Sequence, residues 1–566
     1  MSRLAMAALG AAVLALSATA VARDSRSAHL RMTEPGTAAT SAAGNPTAAV
    51  GARDGAGYVA WIAGEGAQNV FLARVDAEGR PGAPVRVNDR GGDAAAHDQA
   101  PAQVAVGRDG AVYVLWQNNR EIPGRRFPAS DLRFARSTDG GRTFSPAVTV
   151  NDDRDGRPSS HTFHDLTVGA DGTVWVSWID SRVRDSARAA RPSAPRDASA
   201  PMGAPMAAPM GAHGGEAHAG GAHGTGGHGG GKGADAGLPA PEIRVARSVD
   251  GGRTFSASRV VDAGACPCCR TSMAVAPDGT LYVAWRKEYA GDVRDVVVAS
   301  LAPGAAAFSP PVRVHEDGWV FPACPHAGPS VAVDADGAVH VGWYTGRDGR
   351  KGLWYARSVD GGRSFAAPVS LAAGVPPSRV ELAVDGGAVI AAWDAGARPA
   401  AVQVARIGSD GRVAPFRAVP GRTPALEAAG GAALLSWRER GTVHVARVTA
   451  AGSVLSPVSG EWMNSPQQLR KVPPNGPGDF TCTAVRVQVC VAGFTAAPTR
   501  AGTTGPPSPK TDWGRVDGRR FSGEQRDWAP LWAERLKSPQ PRRKVPPNGR
   551  GDFTCTGAAS PARAAE

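Results

Sequence analysis

Four cysteines and one histidine occur in two short segments that each lie just before a predicted β-strand. The segment ACPCCRTSMAV contains Cys266, Cys268 and Cys269, and the segment PACPHAGPSVAV contains Cys324 and His326. Thiolates favour soft ions such as Cu(I), whereas imidazole also suits Cu(II) and zinc. The spacing does not match a zinc ribbon, because a second C-x-x-C pair is missing from the sequence. These residues therefore predict a transition-metal site, with copper favoured and zinc as the other candidate.

Further candidate ligands lie in earlier segments and in a long insertion, Ser186–Ala240, which is rich in Ala, Gly and Pro. Regularly spaced His and Met favour metal capture, although a low-complexity linker is the alternative. We expect this insertion to be a flexible loop. The additional candidates are His97, His161, His164, Met202, Met206, Met210, His213, His218, His223 and His228.

A structural role is an equally good interpretation of the clustered cysteines. Cys268 or Cys269 could pair with Cys324 and join neighbouring units in an oxidising compartment. One such disulfide would still leave two of the four clustered thiols for a metal. The chain has seven cysteines in total, so at least one thiol is free or pairs between chains.

The elements that must position these segments form a repeat. Each unit has an Asp-Gly or similar turn, alternating apolar residues and a tryptophan, which is typical of half-buried antiparallel strands. Four-stranded units at a regular period predict an all-β fold, a β-propeller. We expect seven blades, or six if one weak terminal unit is not a blade. The marker tryptophans are Trp61, Trp116, Trp178, Trp285, Trp343, Trp393 and Trp437.

Propeller geometry predicts where the candidate ligands lie. The loops that join one blade to the next share a face with the loops between the second and third strands of each blade. We call this side, around the mouth of the central channel, the channel face. Both cysteine segments join consecutive units, and the Met- and His-rich insertion separates the second and third strands of the third unit. All of them are therefore predicted to meet on the channel face.

Three units also contain a Ser-x-Asp-Gly-Gly-Arg-Thr/Ser-Phe segment. The aspartate can accept backbone N–H bonds inside a tight turn, and the glycines supply backbone angles that other residues resist. The pattern resembles the Asp-box, or BNR repeat, of the sialidase-like β-propeller superfamily. The Asp-box residues are Ser137, Asp139, Gly141, Phe144, Ser248, Asp250, Gly252, Phe255, Ser358, Asp360, Gly362 and Phe365.

The resemblance implies exo-alpha-sialidase activity as one candidate function. Sialidases bind the substrate carboxylate with an arginine triad and use a Tyr/Glu pair and an Asp in catalysis. The family's Phe/Tyr-Arg-Ile-Pro motif is missing here, since Arg120–Pro123 reads Arg-Glu-Ile-Pro. We therefore assign no catalytic residue. The candidates in an enzyme would be Arg286, Glu288, Tyr289, Arg294 and Asp295.

The remaining sequence defines the domain organisation. Residues 1–22 read as a secretory signal peptide, which predicts export to the periplasm or beyond. The propeller is expected at residues 45–460, with its insertion at residues 186–240. Residues 461–566 are expected to be a low-complexity, disordered tail. No later apolar run reaches the length of a membrane span.

The net charge of +12 is interpreted as a basic, solvated surface. Nucleic-acid binding is not expected, because no basic strip is interleaved with aromatic residues. The favoured function is an exported monomer that binds a small molecule, a glycan or a transition metal at the channel face. The alternatives are an exo-alpha-sialidase-type glycoside hydrolase and a protein-interaction scaffold.

Overall fold

The computed structural model describes residues 30–123, 128–153, 157–190, 237–385, 387–396 and 399–450. The predicted signal peptide, most of the predicted insertion and the predicted tail lie outside the described residues. Within the described part, no helix is both long enough and apolar enough to cross a membrane.

Seven antiparallel sheets follow one another in chain order and form the blades of a β-propeller, as predicted. Two short strands, β1 (Leu30–Met32) and β2 (Gly36–Ala39), precede the first blade. Blades 1 to 3 consist of β3 (Thr47–Val50), β4 (Gly57–Ala63), β5 (Asn69–Val75), β6 (Val85–Arg86), β7 (Gln103–Val106), β8 (Val112–Arg120), β9 (Ala129–Ser137), β10 (Val148–Thr149), β11 (His161–Val168), β12 (Val174–Asp180), β13 (Glu242–Ser248) and β14 (Arg259–Ala263).

Blades 4 to 6 repeat the same four-stranded order, and blade 7 takes its outer strands from the N-terminal region. Their strands are β15 (Ser272–Val275), β16 (Leu281–Tyr289), β17 (Val293–Leu301), β18 (Val312–Arg313), β19 (Ser330–Val333), β20 (Val339–Thr345), β21 (Gly352–Ser358), β22 (Val369–Ala373), β23 (Val380–Asp385), β24 (Ala388–Asp394), β25 (Ala401–Ile407), β26 (Val413–Pro420), β27 (Arg422–Ala429), β28 (Ala432–Glu439) and β29 (Thr442–Ala450).

The N-terminal strands close the ring. Both β1 and β2 pair antiparallel with β29, so the first described residues complete the last blade. Arg447 of β29 is buried and donates to the carbonyl oxygens of Val75 and Asp76 in blade 1. The predicted start of the propeller at residue 45 was therefore too late. These two strands are short and lack the tryptophan-containing pattern by which the other units were recognised.

Packing between blades forms the core. Seven clusters of buried apolar side chains each join two neighbouring blades, including blade 7 with blade 1. The marker tryptophans lie within the second strand of every blade and are at most 6% exposed. Some of their indole nitrogens are also satisfied, as in the 2.7 Å bond from Trp343 Nε1 to Asp317 Oδ2. Each tryptophan therefore anchors its strand in the core between two blades.

The three Asp-boxes form the predicted turns between the third and fourth strands of blades 2, 3 and 5. In blade 3, Asp250 Oδ1 accepts from the backbone nitrogens of Arg253 and Thr254, at 2.9 and 3.0 Å. Ser248 Oγ donates to the same carboxylate and accepts from Gly252 N. The Asp-boxes therefore lie on the face opposite the channel face.

The insertion leaves blade 3 between β12 and β13, as predicted. It begins with a short helix, α1 (Arg182–Ala189), so residues 186–189 are helical rather than irregular. Arg182 at the start of α1 pairs with Asp180 at the end of β12 and with Asp152, each at 2.8 Å. This ion-pair network anchors the first turn of the insertion to the channel face.

Candidate metal centre

The first cysteine segment is the loop between β14 and β15, and it is held against the β16–β17 hairpin of blade 4. Cys266 N donates to Arg286 O at 2.9 Å, and Glu288 N donates to Gly264 O at 2.7 Å. These bonds continue the sheet for a short distance beyond the blade. The position of the thiols is therefore set by backbone pairing with a core strand.

The second cysteine segment, in the loop between β18 and β19, is held on the other side of the same hairpin. Arg294 N donates to Trp319 O at 2.8 Å, and Phe321 N donates to Asp292 O at 3.0 Å. The two segments touch at Gly328, where an added Cβ would lie 2.3 Å from the carbonyl oxygen of Arg270. Only glycine permits this approach, which brings Cys324 and His326 beside the first segment.

The four thiols and one imidazole converge between these segments. Cys266 Sγ lies 3.7 Å from Cys268 Sγ and 3.3 Å from Cys269 Sγ. Two sets of three ligand atoms each lie mutually within 4.8 Å. One set comprises Cys266, Cys268 and Cys269, and the other comprises Cys268, Cys324 and His326. Ligands about 2.3 Å from one metal lie about 3.8 Å apart at a tetrahedral angle, so these separations suit a shared ion.

The cluster is buried on one side and accessible on the other. Cys266, Cys268 and Cys269 are at most 1% exposed, and Phe163 packs against them. Cys324 is partly exposed and His326 is exposed. His326 also has a positive φ of 52°, a backbone conformation that non-glycine residues adopt at a cost and that occurs most often at functional sites.

Two buried arginines provide positive charge beside the sulfur atoms. Arg294 Nη1 donates to Cys266 Sγ at 3.1 Å and to Glu288 Oε2 at 3.0 Å. The Arg286 guanidinium is 1% exposed and donates to the carbonyl oxygens of Ala327 and Tyr344. A buried cation with fixed partners stabilises nearby thiolates, which are the metal-binding form of cysteine.

The pKa values of the thiols reflect shared protons within the cluster. Burial raises the pKa of Cys266 to about 12. Hydrogen bonds to its cysteine neighbours raise the pKa of Cys268. Burial acts in the same direction on Cys269, but hydrogen bonds from Cys266 and Cys268 outweigh it and hold the pKa of Cys269 well below its ordinary value. A hydrogen bond from Cys268 lowers the pKa of Cys324. The four thiols therefore interact closely enough to change one another's pKa values.

The disulfide interpretation is not realised in this structure. All four described cysteines are free thiols, so neither Cys268 nor Cys269 is joined to Cys324. The proximity of Cys268 to Cys324, from which the disulfide was predicted, is nevertheless present. Cys268 instead belongs to both of the two possible ligand sets.

The other predicted histidines lie apart from these two ligand sets. His161 Nε2 is 3.1 Å from Asp153 and 3.6 Å from Asp180. Burial would lower its pKa, but these carboxylates outweigh burial and raise it. His164 is completely buried, its Nε2 lies 3.0 Å from Pro101 O, and burial lowers its pKa to about 3.

His97 is connected to the cysteines through one aromatic side chain. Its ring lies edge-on to Phe163, with 5.4 Å between the ring centroids, and Phe163 in turn packs on the thiols. The candidates in the insertion lie outside the described residues; these are Met202, Met206, Met210, His213, His218, His223 and His228.

The residues considered for catalysis make contacts with other protein groups. Arg286 and Arg294 donate to backbone carbonyls and to Cys266, as described above. The Arg313 guanidinium lies 4.0 Å from the ring centroid of Tyr289. Asp295 is fully buried and accepts from Gly318 N at 3.0 Å. Burial raises the pKa of both Glu288 and Asp295. Within this group, Arg294 joins the cysteine cluster to Glu288 through its bonds to Cys266 Sγ and Glu288 Oε2.

Some of the residues that build this centre were not predicted from the sequence. Gly328, whose small size joins the two segments, and Phe163, which covers the thiols, carried no recognisable pattern. Arg294 was named as a candidate for an enzyme, whereas the structure also places it against Cys266.

Comparisons with known proteins found only distant structural similarities. No family model matches the sequence, and no curated protein matches it. A Hadza microbial sialidase is 14% identical with a TM-score of 0.40, over 70% of this chain and 77% of that chain. An ulvan lyase of a polysaccharide lyase family is 12% identical with a TM-score of 0.45, over 73% and 95% of the two chains.

A third solved structure, the intramolecular trans-sialidase from Ruminococcus gnavus, is 13% identical with a TM-score of 0.37. That match covers 63% of this chain and 91% of the other. Similarities at these values do not bear on activity. The seven blades and the three Asp-box turns agree with the fold predicted from the sequence, and any function has to be argued from the residues of the candidate site.

Proposed function

We propose that this protein is an exported β-propeller that binds copper, as Cu(I), at the cysteine cluster of its channel face. The observation that carries the proposal is the convergence of four thiols and one imidazole from two separate loops onto one hairpin. Soft thiolate ligands select Cu(I). The buried arginines next to the cluster stabilise the thiolate form of the cysteines, which is the form that binds a metal.

Export is part of the proposal and is supported by the sequence of residues 1–22. Its charged start, apolar run and small residues before two cleavage sites are those of a secretory signal peptide. The Met- and His-rich segment supports the choice of metal, because thioether and imidazole groups also bind copper. We propose that this segment captures copper near the cysteine cluster.

The experiment uses the full chain with its own N-terminal segment, produced in cells grown with added copper or zinc. Cell fractionation locates the protein, and elemental analysis measures the metal bound to it. We expect copper in the exported protein and a loss of at least one copper per chain when Cys266 and Cys268 are both replaced by serine.

A matched control replaces Cys482 and Cys490, which lie after the propeller, by serine. This control should retain the copper content of the unmodified protein. Equal copper in the Cys266→Ser/Cys268→Ser protein and the unmodified protein would overturn the site. Zinc bound instead of copper, and lost in the same variant, would keep the site and overturn the choice of metal.

A further inference from the structure

We infer that the cysteine cluster is a dinuclear copper centre in which the thiolate of Cys268 bridges two ions. The inner ion is held by Cys266, Cys268 and Cys269, and the outer ion by Cys268, Cys324 and His326. This inference rests on the proposed copper-binding function and adds the number of ions, their ligands and the order in which they exchange.

The arrangement of the ligand atoms carries the inference. The five ligand atoms form two sets of three with one member in common, and each set lies mutually within 4.8 Å. Three ligands around one ion match the trigonal coordination that Cu(I) accepts, whereas a structural zinc site is normally closed by four. Cys268 lies between the other cysteines, and its Sγ has lone pairs for both ions. A dinuclear centre therefore uses all five ligands without rearranging the loops.

The charges around the cluster agree with two monovalent ions. Four thiolates carry four negative charges, and two Cu(I) ions compensate two of them. Arg294 donates to Cys266 Sγ and also to Glu288 Oε2, so its positive charge is shared between them. Buried charge is costly unless it is balanced. A second Cu(I) ion therefore balances more of the thiolate charge than a single ion would.

The difference in burial assigns different roles to the two positions. The three thiols of the inner set are at most 1% exposed, whereas Cys324 is partly exposed and His326 is exposed. A copper ion therefore reaches the outer position first. Exchange of ligands on the shared Cys268 then moves it to the inner position. We expect the outer ion to be the one that a soluble chelator removes quickly.

The test is a titration of the fully reduced full chain with Cu(I) under anaerobic conditions, with a competing Cu(I) chelator present. The reference is a variant with Cys266, Cys268, Cys269 and Cys324 all replaced by serine. Subtracting its bound copper removes the contribution of ligands elsewhere in the chain. Two more copper ions in the unmodified protein than in the reference support the dinuclear centre.

Two further measurements do not need the variant in which all four cysteines are replaced. The Cys324→Ser/His326→Ala protein changes only the more exposed part of the cluster. It should lose one copper ion and, with it, the quickly removed fraction. The unmodified protein should also show a copper–copper scattering path in its X-ray absorption spectrum.

The outcomes separate this inference from the function on which it rests. A difference of one ion from the reference, without a copper–copper path, would overturn the dinuclear centre and leave the copper site in place. No difference from a correctly folded reference variant would overturn both. Equal removal rates for both ions would overturn the inner and outer assignment.

Discussion

Replacing Gly328 by alanine should separate the two cysteine segments and weaken the outer half of the metal centre. The new Cβ would lie 2.3 Å from Arg270 O, 3.0 Å from Arg270 N and 3.2 Å from Arg270 C. Since non-bonded heavy atoms approach to about 3.5 Å, the segments must move apart by roughly 1 Å. The atoms met are backbone, so no side-chain rotation relieves the contact. Cys324 and His326 move with the displaced segment.

The magnitude follows from the strain. Overpacking of this kind costs about 1–3 kcal/mol, and the variant must regain the strained geometry to bind the outer ion. Its affinity for that ion should therefore fall by about 5- to 150-fold, which is the same free energy expressed as a ratio. The inner thiols belong to one segment, so their ion should be retained.

The assay is Cu(I) competition titration of the variant and of the unmodified protein, with thermal unfolding measured in parallel. Gly91→Ala is the matched control, because a Cβ at Gly91 meets nothing within 4 Å and its φ is not positive. Unchanged affinities at both positions in Gly328→Ala would refute the argument that this glycine holds the site together. Loss of both ions from a correctly folded protein would refute the separation into inner and outer positions.

Three further predictions concern charge and pH. Arg294→Gln removes the cation 3.1 Å from Cys266 Sγ, so the thiol pKa should rise, protons should compete better, and copper should be released at a higher pH in a chelator titration. Asp250→Ala removes the acceptor of one Asp-box and should lower the free energy of unfolding by about 0.5–2 kcal/mol in denaturant melts, without changing bound copper. His161 has a raised pKa, so its protonated form should stabilise the fold below its ordinary pKa of about 6.5. That contribution should disappear as the pH rises through the raised value, and His161→Gln should flatten the pH profile of stability.

Each of these predictions has a result that contradicts it. An unchanged release pH in Arg294→Gln would show that the guanidinium does not stabilise the thiolate. Copper loss in Asp250→Ala would contradict the placement of the Asp-box on the opposite face, and Asp360→Ala in blade 5 serves as its parallel case. If the stability of the His161→Gln protein depends on pH as strongly as that of the unmodified protein, His161 is not the titrating group.

The blades were predictable because their signal is local and repeated. Each marker tryptophan follows an alternating apolar run within the second strand, and this position recurs in all seven blades. The Asp-boxes were predictable for the same reason, since Asp250 satisfies backbone groups within a few residues of itself. The strands β1 and β2 were missed because they pair with β29, which is far away in the sequence. Neither segment alone contains a pattern that predicts this pairing.

The cysteine cluster was predictable only in part. The cysteines were recognised by residue type, and their convergence followed from the known order of loops in a propeller. The contact between Gly328 and Arg270 depends on the exact path of two loops, which spacing in the sequence does not determine. The same holds for Arg294, whose guanidinium donates to Cys266 Sγ. His161 was grouped with the cysteines because its segment was also expected on the channel face, whereas Asp153 and Asp180 hold its imidazole apart from the two ligand sets.

The most direct test of the copper site is the X-ray absorption spectrum of the full chain loaded with one equivalent of Cu(I). We expect the first coordination shell of copper to be dominated by short bonds to thiolate sulfur, because the cysteine cluster binds copper first. These sulfur bonds should be lost in the Cys266→Ser/Cys268→Ser/Cys269→Ser variant and kept in the Cys482→Ser/Cys490→Ser control. A first shell of nitrogen and thioether sulfur that is the same in all three proteins would contradict the account, because it would place copper on the Met- and His-rich segment instead.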